Sequence, residues 1–198
     1  MTIRTKICYI EVEFVLIFII LTSIISNTLF KFLYYFFACY LFIVFHELSH
    51  ILIATILNKK LNKIKFSVSG VCAVFQKDKI NDKRKIYIKN IIIYLAGPIS
   101  NIILAYIFKN NTMIKEINIF LAILNILPIF PLDGYNILLN ILRIAFSREK
   151  SEKVINQLGN IFILILTIIA IYQIKEFKNF SMAIFCGYLY VLKINRKE

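Results

Sequence analysis

His46-Glu47-Leu48-Ser49-His50 is the segment of this sequence best equipped for chemistry. Two histidines four residues apart project from one face of a helix. There, two neutral imidazoles can hold a zinc ion while the adjacent carboxylate acts as general base. The chain has only two histidines, and both fall inside this pattern. The pattern sits in an apolar run, between Leu41-Phe42-Ile43-Val44-Phe45 and Ile51-Leu52-Ile53. Burying Glu47 in a bilayer costs on the order of a few kcal/mol, so an ionisable residue there is read as functional. The plainer alternative is a His/Glu pair satisfied by neighbouring helices.

A catalytic zinc takes three protein ligands and keeps one open position. With no further histidine, the candidates are carboxylates and thiolates. Asp78 and Asp82 lie in a basic loop, whereas Asp133 sits in the apolar setting Asn125-Ile126-Leu127-Pro128-Ile129-Phe130-Pro131-Leu132-Asp133-Gly134-Tyr135. Its two prolines and its glycine break or kink a helix, which lets a carboxylate turn inward. Depth agrees with this choice. His50 is about 12 Å from the end of its span near Asn58, and Asp133 is about 15 Å from Arg143, at the helical rise per residue.

These residues need a membrane scaffold. The chain has 198 residues, 60% of them hydrophobic, with a mean hydropathy of +0.76. That is too apolar for an ordinary soluble domain and suits one domain only. Apolar runs predict an all-α, polytopic membrane protein of about six transmembrane helices. These lie near residues 12–30, 32–57, 86–108, 117–142, 158–174 and 180–192. Each approaches the roughly 20 residues that a span requires, and continuous apolar runs exclude a membrane barrel. The loop from Lys59 to Lys85 contains a β-prone patch, residues 66–75, with Gly70 at its centre. It can form a short membrane-associated β-hairpin or lie as an amphipathic surface loop.

The net charge of +13 is explained by topology rather than by nucleic acid, since no nucleic-acid motif accompanies it. Eighteen Lys or Arg fall in the two basic loops (59–85 and 143–153) and at the ends, against five on the other side. Both termini and both basic loops are therefore expected in the cytoplasm. Cys8, Cys39, Cys72 and Cys186 have no CxxC spacing, which argues against disulfides and thiolate zinc. The basic, apolar N-terminus has no small-residue cleavage site and reads as a retained first span.

Taken in order, His46-Glu47-Leu48-Ser49-His50, Ala96-Gly97-Pro98-Ile99-Ser100-Asn101, Asn125 to Asp133 and Leu132-Asp133-Gly134 resemble the site-2 protease family of intramembrane zinc metalloproteases (peptidase M50). The resemblance covers about residues 33–143, the expected catalytic core. The short layout is most similar to the sporulation branch, which processes a membrane-tethered sigma factor precursor. No PDZ or CBS domain is expected, and Tyr135 stands where a second glycine is common in the family.

The resemblance implies one zinc per chain, held by His46, His50 and Asp133, with Glu47 as proton carrier. Asn125 would donate a hydrogen bond to substrate or oxyanion, or bridge helices as a structural amide. Asn101 has the same two readings, the structural one first, and Gly97 and Pro98 serve close packing and a local kink. The strand around Gly70 could offer an edge to an unwound substrate. Expected partners are a membrane-tethered protein substrate, the lipid bilayer of a prokaryotic cell membrane, and membrane regulators. The rival classes are a non-proteolytic zinc carrier or sensor, which would not need Glu47, and an inactive substrate-binding scaffold.

Overall fold

A computed structural model describes residues 2–4, 9–12, 30–59, 61–67, 70–75 and 83–195. The elements are β1 (Thr2–Arg4), β2 (Tyr9–Val12), α1 (Phe30–Ile56), β3 (Leu61–Ser67) and β4 (Gly70–Phe75). There follow α2 (Lys83–Ile107), α3 (Thr112–Ile126), α4 (Asp133–Ala145), α5 (Arg148–Phe177) and α6 (Ser181–Asn195). Two compact units result: residues 1–81 with 95–122, and residues 82–94 with 123–198.

In the first unit, α1 is built inside out. Phe42, His46, His50 and Ala54, spaced four apart, are buried, while Leu41, Phe45, Leu48, Leu52 and Ile56 are exposed. A water-soluble helix would bury its apolar face; here the apolar face is outward, as lipid requires. Two hydroxyls, those of Ser49 and Thr55, are satisfied within the helix. Ser49 Oγ donates to the Phe45 carbonyl and Thr55 Oγ1 to the Ile51 carbonyl, each at 2.8 Å. The helix ends at Asn58, which adopts the left-handed conformation that asparagine tolerates.

An all-α chain with a possible short hairpin at 66–75 was expected; the described residues include four strands. They form one sheet in the order β1-β2-β3-β4, paired antiparallel, parallel and antiparallel. The antiparallel pair β3–β4 begins at Leu61, earlier than the 66–75 patch suggested. Its register contains an irregularity between Leu61 and Lys63, which sets Leu61, Ile64 and Phe66 opposite Phe75, Ala73 and Val71. A simple period-two reading loses Leu61 because the irregularity inserts one extra residue. β4 packs against α1.

Among the described residues, three helices are long and apolar enough to cross a membrane. They are Phe37–Ile56, Lys83–Ile107 and Arg148–Phe177, with Met182–Ile194 a shorter apolar helix. The span expected at 12–30 lies outside the described residues except at its ends; Val12 ends β2 and Phe30 starts α1. The span expected at 117–142 is not one helix. α3 stops at Ile126 and α4 starts at Asp133, because Pro128 and Pro131 lack the N–H that would carry a helix through. Pro98, in contrast, is tolerated inside α2.

In the second unit, α5 and α6 pack around Ile129, Ile163, Leu166, Ala170, Cys186 and Leu189. α4 and α5 share a smaller core of Tyr135, Leu139 and Ile155. Glu152 ties their polar ends, accepting from Arg143 at 2.7 Å and from Arg148 at 3.0 Å.

Candidate metal centre

His46, Glu47 and His50 come together because α1 puts residues four apart on one side. One ligand atom from each lies within 4.8 Å of the others, a spacing one ion can bridge. Both imidazoles are buried, at 4% and 5% exposure, and Glu47 is half-buried beside them. The rings meet edge to face with centroids 4.8 Å apart.

The wall of this cluster is α2. His46 Nδ1 lies 3.0 Å from Asn101 Oδ1. An amide oxygen can only accept, so Nδ1 carries the proton and Nε2 keeps its lone pair for a metal. Ser100 Oγ also reaches Asn101 Oδ1, at 3.4 Å. One turn earlier, Gly97 faces the open nitrogens. A β-carbon added to it would overlap His46 Nε2 and stand 2.5 Å from both His46 Cε1 and His50 Nε2. Zinc binds imidazole nitrogen at about 2.0–2.1 Å, so the donor set and the missing β-carbon both fit an ion held by the two Nε2 atoms.

The remaining candidates fall elsewhere in the fold. Asp133 is the first residue of α4, in the second unit, and is half-buried. Gly134 follows it where the chain passes over carbonyls. A β-carbon there would overlap the Ile126 carbonyl and lie 2.6 Å from the Leu127 oxygen, so only glycine fits. Tyr135 is buried and packs edge to face on Phe130, centroids 5.8 Å apart. Asn125 is half-buried near the end of α3, and Gly70 opens β4 opposite Ser67.

Sequence reasoning gave Asn101 a structural role first and Gly97 a packing role; the structure puts both against the histidines. The signal available was their spacing. Gly97 and Asn101 are four apart, as His46 and His50 are, so two helices can present matching rows.

The same arrangement of elements is known. The structure is similar to that of the Site-2 Protease from Methanocaldococcus jannaschii, with a TM-score of 0.67 and 23% sequence identity. The match covers 96% of this chain and 92% of that one. This chain has a site-2 protease fold. Residues 110–168 match the model of Peptidase family M50, a stretch that contains Asn125, Asp133 and Gly134. No curated protein sequence matches the chain. The site-2 protease fold and the M50 segment together support an intramembrane metalloprotease.

Proposed function

We propose that this chain is a zinc-dependent intramembrane endopeptidase that cuts a membrane-tethered protein near the cytoplasmic face of the bilayer. The observation that carries the proposal is the buried His46–Glu47–His50 cluster facing the side-chain-free space at Gly97. His46, His50 and Asp133 hold one ion per chain. Asp133 is supported as third ligand by its place within the M50-matched segment.

Bound zinc supplies a Lewis acid that acidifies a water and polarises the scissile carbonyl. Glu47 takes the proton from the attacking water and delivers it to the leaving amine nitrogen. Asn125 hydrogen-bonds the substrate or the developing oxyanion. The substrate helix must unwind before its peptide bonds are accessible. β4 is the last strand of the sheet and packs on α1, which supports strand addition along Gly70–Phe75 as the way the unwound segment is held.

The substrate we favour is a sporulation sigma factor precursor, the substrate class that the sequence resemblance suggests. Co-expression of the chain with a tethered precursor, wild type against Glu47→Gln, tests this. Processing by wild type alone is the expected result. No processing by either removes the sporulation assignment, and processing by both removes the catalytic role of Glu47.

A further inference from the structure

Asn101 is fully buried on α2, and its two ends are treated unequally. Oδ1 lies 3.0 Å from His46 Nδ1, whereas the Ser100 hydroxyl, 3.4 Å from Oδ1, donates to the Gly97 carbonyl at 2.7 Å; Nδ2 is buried without a hydrogen-bond partner. An unmet buried donor costs about 1–3 kcal/mol, and a leucine of similar size would pack there without that cost. An amide kept only to join helices would use both ends. This one spends its acceptor on a single histidine nitrogen and leaves its donor unmet.

Gly97 has an equally directed defect. Elsewhere in α2 the positions next to it carry side chains of ordinary size, such as Ile93 and Ala105 on the same row. At Gly97 a single added carbon would overlap His46 Nε2 and Cε1 and His50 Nε2 themselves. The imidazoles themselves claim that volume, so a side chain at 97 would push aside the two rings whose Nε2 atoms would hold the ion.

We infer that α2 completes the zinc site through two positioning residues: Asn101, which locks the tautomer and ring orientation of His46, and Gly97, whose lack of a side chain lets both imidazoles seat against α2. This rests on the metalloprotease proposal above and adds what sets metal affinity. Partners of this kind to a ligating histidine fix the ring and raise its basicity, and their loss weakens metal binding about 10–100-fold. Asn101→Asp keeps an acceptor on Nδ1–H; Asn101→Leu keeps the volume and removes it.

The test is zinc affinity by chelator competition on the full-length chain in detergent, with the cobalt(II) absorption spectrum as a second readout. Both are measured in the Glu47→Gln background, so that turnover plays no part. Asn101→Leu is expected to weaken zinc about 10–100-fold and to alter the cobalt spectrum, Asn101→Asp to restore both, and Gly97→Ala to abolish stoichiometric binding. Zinc affinity unchanged in Asn101→Leu, or lowered equally in Asn101→Asp, overturns the inference while leaving the protease proposal standing. If Gly97→Ala does not fold, the Asn101 pair decides the matter alone. Absence of zinc binding in the Glu47→Gln parent itself removes the metalloprotease proposal and this inference with it.

Discussion

At the scale of residues, the account divides binding from chemistry. Glu47 is half-buried beside two buried imidazoles. Glu47→Gln preserves its size and removes its basicity. Cleavage is expected to fall about 10²–10⁴-fold, the usual contribution of a general base, while zinc content by metal analysis stays at one per chain. Asp133→Ala is expected to weaken zinc by more than about 100-fold, beyond the loss seen for a partner that only orients a ligand; Asp78→Asn serves as the unaffected control. The grouping of His46, Glu47 and His50 was legible because the chain offers only two histidines and places both in one motif. Asn101 was harder to read. An asparagine in an apolar span has several uses, and only the 3.0 Å approach to His46 Nδ1 separates them. Gly97 was harder still, since its role is the absence of atoms next to residues far away in sequence.

Among the elements, the segment between α3 and α4 matters most. Hydropathy extends residues 117–142 as one span, while the two prolines and the glycine within it already signal a break; the helix ends at Ile126 and Asp133 begins the next. Periodicity measures which residues avoid water, not whether backbone hydrogen bonds can continue. Gly134 makes the tight entry to α4 workable. Gly134→Ala pushes a β-carbon into the Ile126 carbonyl, and a loss of about 1–3 kcal/mol is expected, read as a lower unfolding temperature in detergent. The Glu152 tie between α4 and α5 is a weaker element. Arg148 is largely exposed and Glu152 is 35% exposed. Glu152→Gln is therefore expected to change stability by less than about 1 kcal/mol in the same measurement. The strands were legible only as a β-prone patch. Leu61 falls out of phase by the extra residue before Lys63, and β2 pairs with β3 across a long stretch of intervening chain.

For the whole molecule, composition had already indicated a membrane protein, and the outward apolar face of α1 agrees with it. Orientation follows from charge alone. Eighteen basic residues lie in the two basic loops and at the ends, so reporter fusions at either terminus are expected to report the cytoplasm. A periplasmic signal from both would invert the site's depth and contradict cleavage near the cytoplasmic face. The fold is shared with a site-2 protease at 23% sequence identity. The most direct measurement is cleavage of a membrane-tethered substrate by purified chain in lipid vesicles, with zinc stripped by a chelator and then restored. The account predicts cleavage by zinc-loaded wild type, none after stripping, recovery when zinc returns, and none by zinc-loaded Glu47→Gln. Cleavage that survives stripping, or that persists in Glu47→Gln, would contradict it.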